Sequence, residues 1–228
     1  MMKRFIFSIF LLPLLLASPQ TKAQGIMLTP KWTAQAQFTG YYVADKLGFY
    51  KEEGIDVCVQ HPAISESSFS FMEKGRAPVV IMNLSYAFME RLAGARVVNV
   101  MQTSQENSLM LISHSPLKGE ESLRNQKIAV WNHLSQKLLD RLAEHYALKQ
   151  VEWIRFNSGV NVFLSGAADP CLVGSYNEYL QLSEYGVNDD SIYSIRLADY
   201  GYNLTEDGLY ATEEFYKQNT EVLRKLSQ

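Results

Sequence analysis

An α/β fold built on parallel strands with intervening helices is predicted, and three observations predict it. Trp32 to Val57 reads as strand end, loop, helix, short second helix and strand, which is a βαβ unit. Further along, short apolar runs alternate with helical stretches that stop at glycine, as at Gly75, Gly94, Gly166 and Gly186. Glycine suits those stops because a residue without Cβ enters the left-handed conformation cheaply. The chain has 228 residues, 47% of them hydrophobic and 20% charged. That is enough for one large domain or two small lobes.

Each element has its own local reason. Gly48 ends the first helix, whose Tyr42, Val43 and Leu47 are expected to face a core. Gly54 then precedes Ile55, Val57 and Val59, which alternate with Asp56 and Cys58 as a strand does. Ser65 to Lys74 is predicted as a helix, and Pro78 to Met82 as a strand apolar on both faces. Ser85 is placed as N-cap of a helix over Tyr86 to Ala93, followed by a strand from Val97 to Met101. Leu109 to Ser113 is a strand expected to run out of this first unit. In the second half, Ser135 to Leu148 carries Leu138, Leu139, Leu142 and Tyr146 at helical spacing. Val151 to Phe156 is a strand with Trp153 in the core, and Val160 to Leu164 a short helix. Cys171 to Ser175 is a strand that delivers Tyr176, Asn177 and Glu178, followed by a helix to Tyr185. Ser191 to Arg196 is a strand and Gly208 to Ala211 a return segment. Thr212 is expected to cap one last helix running to Leu226, with Glu213 and Glu214 in its first turn.

The start of the chain bears on compartment. Lys3 and Arg4 precede an apolar run from Phe5 to Ala17, and Ala23 offers a small residue for cleavage. That pattern is a secretory signal peptide over 1–23. A spanning helix needs about 20 apolar residues, and this run breaks at Pro13 and Ser18. No cysteine ends the run, so no lipid anchor is expected. Removing the signal takes away three basic residues and no acids, moving the net charge from −3 to −6. An acidic chain without basic clusters argues against nucleic acid and anionic lipid as partners. Cys58 and Cys171 sit in separate apolar runs, where two buried free thiols are expected and a bridge is the alternative. His61, His114, His133 and His145 are scattered, so no metal site or other cofactor is expected. There is no G-x-S-x-G elbow for serine catalysis.

The stretch Q-A-Q-F-x-G-Y-Y-V-A-x-x-x-G-F-Y-K-E-E-G-I-D-V, from Gln35 to Val57, resembles the opening of NMT1/THI5-like (SsuA/THI5-like) substrate-binding proteins. Weaker echoes continue, among them Glu121 to Trp131, where Asn125 replaces the family's usual glycine. The resemblance implies a two-lobed periplasmic-binding-protein-like (type II) fold, each lobe a mostly parallel sheet flanked by helices. Lobe I would comprise 24–112 and 208–228, and lobe II 113–207. Family members usually continue for several more helices, so the resemblance also implies a truncated C-terminus. The implied role is a monomeric periplasmic protein that captures a small molecule for an ABC permease. Two alternatives stand beside it: a ligand-sensing component for a signalling receptor, and a truncated paralogue that binds nothing. One eukaryotic branch makes the thiamin pyrimidine enzymatically, using a Lys and a His four apart on a helix and a cysteine-rich segment. Val79 to Met89 contains neither Lys nor His, and no cysteine cluster exists, so no enzyme is expected.

If two lobes face each other, the loops Trp32 to Phe38, Asn83 to Tyr86 and Tyr176 to Glu178 converge. The candidate ligand residues are Trp32, Gln35, Gln37, Phe38, Tyr41, Asn83, Ser85, Gln105, Trp131, Tyr176, Asn177 and Glu178. They combine ring faces, neutral amides and one acid, as a planar heterocycle such as a thiamin-precursor pyrimidine requires. A sulfonate or phosphate would call for arginine, and none sits in these loops. Glu178 has two readings, an acid meeting the ligand's amino group or a solvated acid at a helix start. Trp32 is either a stacking face or a lid on the core, and Ser85 either a cap or a ligand contact.

Overall fold

The computed structural model describes residues 25–118, 120–132, 139–140, 143–144 and 150–228. The predicted signal peptide and His133 lie outside the described residues, as does most of the predicted helix from Ser135 to Leu148.

Among the described residues, two five-stranded sheets form the frame. The first has the order β2 (Asp56–Val59), β1 (Gly25–Thr29), β3 (Val79–Asn83), β10 (Asp207–Thr212) and β4 (Val97–Gln102). Strand β1 runs parallel to β2 and β3, while β10 is antiparallel to both its neighbours. The second sheet has the order β7 (Glu152–Phe156), β6 (Lys127–Trp131), β8 (Cys171–Gly174), β5 (Leu109–Ser113) and β9 (Tyr193–Arg196). Here β6 is parallel to β7 and β8, and β5 is antiparallel to β8 and β9. Each sheet is therefore mixed, with one reversed strand. Those two reversed strands are the ones the chain enters on crossing between sheets. Leu109 to Ser113, expected to leave the first unit, is already inside the second sheet, so the crossing falls between Gln102 and Leu109.

Helices α1 (Thr39–Leu47), α2 (Phe49–Glu52), α3 (Ser68–Glu73) and α4 (Leu84–Leu92) belong to the first sheet. Helices α5 (Asn161–Leu164) and α6 (Glu178–Glu184) belong to the second, and α7 (Glu213–Gln218) and α8 (Thr220–Leu226) follow β10. Apolar clusters lie on both faces of each sheet, with Leu28, Ile81 and Leu209 on one face of the first and Val80, Met82 and Tyr210 on the other. Alternate residues of β3 and β10 thus feed opposite layers, as a pleated strand dictates.

Several local expectations change. Val43 and Leu47 are exposed, because Phe38, Tyr41, Tyr42 and Ala44 take the core side of α1 and of the turn before it. Ser85 is not a cap: α4 starts at Leu84, Asn83 holds the N-cap position, and Ser85 lies exposed in the first turn. The single last helix is two, broken at Asn219. Thr212 does cap the first of them, its Oγ1 accepting from Phe215 N at 3.1 Å. Asn125 has φ 59°, the left-handed conformation that glycine usually supplies. Cys58 is exposed on β2 rather than buried, Cys171 is buried on β8, and both thiols are free.

Candidate functional site

The two crossings decide where a site can be. Parallel strands β1, β3 and β4 end at one edge of the first sheet, and Asp207, where β10 begins, pairs with Asn83 at that edge. In the second sheet, β6, β7, β8 and β9 end at the edge where β5 begins, since Leu109 pairs with Gly174. Gln102 and Leu109 are separated by a segment that can span at most about 25 Å. The carboxyl ends of both sets of strands are thereby tethered to one junction. That junction is also stitched: Ser175 N donates to Ser108 O at 2.9 Å, and Ser108 Oγ to Glu206 Oε2 at 2.9 Å. Burial pushes the Tyr176 hydroxyl up strongly, helped by the charges of Glu206, Asp207 and Glu178 and opposed by a hydrogen bond with Ser108. Tyr176, from the second sheet, thus shares its surroundings with the first residue of β10.

On the second-sheet edge, Glu178 is only 5% exposed. Its Oε2 accepts from Gly174 N at 3.1 Å. Its Oε1 accepts from Trp131 Nε1 at 3.3 Å and Asn177 Nδ2 at 3.1 Å. No cation pairs with it among the described residues. The solvated-acid reading is excluded by this burial. Trp131 is 8% exposed within a core cluster, so its indole holds the acid rather than offering a face. Arg155 Nη1 donates to Trp131 O at 3.3 Å behind it.

On the first-sheet edge, His61 organises the predicted loop. The Trp32 carbonyl can only accept, so His61 Nδ1 donates to it, at 2.5 Å. His61 Nε2 meets the Tyr42 hydroxyl at 2.6 Å. Trp32, Tyr41 and Tyr42 all pack against the first core cluster, although only one of the two tyrosines was expected to. Gln37 Nε2 donates to Gln35 Oε1 at 2.8 Å, leaving Gln37 Oε1 buried without a partner. Phe38 is fully buried and has no face for a ligand, contrary to the sequence reading. Tyr41 is pushed up to about 12 by burial, opposed by Thr103 and reinforced by Asp207. Ser85 and Gln105 are exposed, and the Gln105 amide turns back to Gln102 O at 3.2 Å.

Sequence reasoning missed Lys31 here. Its Nζ donates to Asn83 Oδ1 at 2.7 Å and pairs closely with Asp207. The pairing joins positions far apart in the chain, so nothing in a local pattern announces it. A separate groove of about 500 Å³, floored by Phe69, Met72 and Val97, lies where β4 begins and β10 ends, at the opposite end of the first sheet. Its rim acid Glu213 is already paired with Arg91 and Arg96.

Comparison with known proteins fits this layout. A match to the NMT1/THI5-like family runs over residues 35–228. The chain belongs to that family. It is 27% identical over 218 residues to the riboflavin-binding protein RibY of Chloroflexus aurantiacus, covering 90% of this chain and 60% of that one. It is 22% identical over 208 residues to the 4-amino-5-hydroxymethyl-2-methylpyrimidine phosphate synthase THI13 of Saccharomyces cerevisiae, covering 85% of this chain and 61% of the yeast one. The chain therefore spans about three fifths of the length of these relatives. Among solved structures, the periplasmic aliphatic sulphonate binding protein SsuA of Escherichia coli superposes with a TM-score of 0.66 at 15% identity, covering 89% of this chain and 70% of that one. An SsuA from Methylobacillus flagellatus gives 0.64 at 16%, covering 90% and 66%. At such identities the likeness shows the fold, which is that of ABC-transporter substrate-binding proteins.

Proposed function

We propose that this chain is an exported solute-binding protein that captures a small planar molecule between the two strand edges and presents it to an ABC permease. A thiamin-precursor pyrimidine is the favoured ligand. Glu178 carries the reading. A carboxylate taken out of water with only neutral donors around it is costly, and an amino or amidine-like ligand group would supply the missing complement. Ring faces and amides at Trp32, Tyr176, Gln35 and Asn177 suit a flat heterocycle with edge donors and acceptors. Binding rather than synthesis is supported because the β3–α4 stretch lacks the Lys and His that the enzymatic branch would need.

The test is calorimetric titration and thermal shift with 4-amino-5-hydroxymethyl-2-methylpyrimidine, with riboflavin as the competing candidate. The pyrimidine should bind and stabilise the protein, and Glu178→Gln should weaken it about tenfold or more, as loss of a charge-assisted bond predicts. No shift at millimolar pyrimidine, or equal binding by Glu178→Gln, would overturn the assignment.

A further inference from the structure

We propose that Lys31 is a specificity-determining residue that reads an uncharged acceptor on the ligand and makes this site turn away sulfonates and phosphates. The inference rests on the reading that the ligand lies between the two strand edges, and it narrows the ligand class.

An ammonium has three N–H donors and no acceptor. One goes to Asn83 Oδ1 at 2.7 Å, while Asp207 lies against the ammonium as a close ion pair, its Oδ1 taking no aligned hydrogen bond. Both partners sit at the ligand edge, Asn83 ending β3 and Asp207 opening β10. The Lys31 and Asp207 side chains are 18% and 12% exposed, so water screens the pair only partly. Asp207 is itself fixed, its carbonyl accepting from Thr103 N and Ser104 N at 3.0 Å each. Lys31 therefore meets a ligand with donor capacity to spare and its charge already offset by Asp207. A ring nitrogen, carbonyl or hydroxyl can take that donor. An anion gains little net attraction from the pair, and Glu206 and Glu178 join Asp207 as negative charges around Tyr176 at the same junction. Anion recognition instead favours unneutralised Arg or Lys donors.

Sulfate and methanesulfonate test this without reference to the natural ligand, by thermal shift against chloride of matched ionic strength. Wild-type protein should show no saturable stabilisation by either anion at millimolar concentration. Asp207→Asn frees the Lys31 charge and should create saturable sulfate binding, which the Lys31→Met/Asp207→Asn double variant loses. Circular dichroism establishes that each variant is folded. Saturable sulfonate binding by wild type that Lys31→Met removes would overturn the proposal, and this arm does not depend on Asp207→Asn folding. A folded Asp207→Asn that gains no sulfate affinity would overturn it as well. Should the pyrimidine fail to bind while the anion results hold, the ligand assignment falls and the role of Lys31 stands.

Discussion

Gly174 shows how little room the acid-binding corner has. A Cβ there would lie 3.2 Å from Glu178 Oε2 and 3.4 Å from the Tyr176 ring. Gly174→Ala should therefore push the carboxylate off the Gly174 amide and cost about 1–2 kcal/mol of stability, in the range of mild overpacking. Ligand affinity should fall about tenfold, and parallel calorimetry and urea melts separate the two effects. Equal affinity in the variant would mean the carboxylate does not touch ligand. The thiols follow the same logic of surroundings. Burial, then Glu178 and Asp169, pushes Cys171 up to about 12, whereas Cys58 is exposed. A thiol reagent at pH 8 should titrate one cysteine in the native protein and both in denaturant; Cys58→Ser should abolish the native signal. Much at this scale was legible: Glu178, Tyr176 and Asn177 stand at a strand's end because apolar Cys171 to Val173 must end somewhere. Lys31 and His61 were not legible, since their meaning lies in partners on other elements, strands β3 and β10 for Lys31 and the turn after β1 and helix α1 for His61. Phe38 and Trp131 misled for the opposite reason, because a ring near a mouth looks the same in sequence whether it faces the ligand or the core.

At the scale of elements, β-α alternation and glycine stops located nearly every strand to within two or three residues. Helix faces were harder. Of the expected core face Tyr42, Val43 and Leu47, only Tyr42 packs inward, beside Tyr41 and Ala44, so spacing alone placed Val43 and Leu47 on the wrong side. The C-terminal pair of helices depends on its cap. Thr212 ends β10 and accepts from Phe215 N, and Thr212→Ala should cost about 1 kcal/mol in urea unfolding. Next to it, Glu213 binds Arg96 Nη2 at 3.1 Å and Arg91 Nη1 at 3.3 Å, linking α7 to α4 and the start of β4. The Arg96 hydrogen bond first, with burial opposing and Arg91 helping, lowers its carboxyl below 4.5. A lowered folded-state value stabilises above the unfolded one and is lost as pH falls through the folded one. Stability should therefore decline below about pH 4.5, and Glu213→Gln should flatten that decline in melts from pH 6 to 3. An unchanged slope would show the pairs contribute nothing, as is common for exposed ones.

For the whole molecule, what local pattern could not supply was which sheet each crossing strand joins. Leu109 to Ser113 and Asp207 to Thr212 read simply as strands, and their neighbours are far away in sequence. Each is the reversed strand of its sheet, so the two crossings approach one another and are strapped together. Beside the two backbone amides, the Asp207 carbonyl accepts from Thr103 Oγ1 and Gln102 Nε2, both at 2.8 Å. Asn107 N donates to Asn203 Oδ1 at 3.0 Å, and Leu84 N to Glu206 O at 3.0 Å. Any closure of one sheet on the other must turn about this strap, because hinge motion is absorbed by a few loop residues between rigid elements. Gln102 is the side chain that can be removed with least damage to either core, since it is half-buried at the end of β4. Its Nε2 donates to Ser104 O at 3.0 Å as well as to Asp207 O. Gln102→Ala should cost about 1 kcal/mol, the net worth of a typical lost hydrogen bond. The loss should be local. Native-state hydrogen exchange should quicken at the Thr103 and Ser104 amides several-fold while the Leu172 amide in β8 keeps its protection, because strap opening is sub-global. Quickening of all three together would mean that the strap and the sheets open as one unit, and the hinge would have to lie elsewhere.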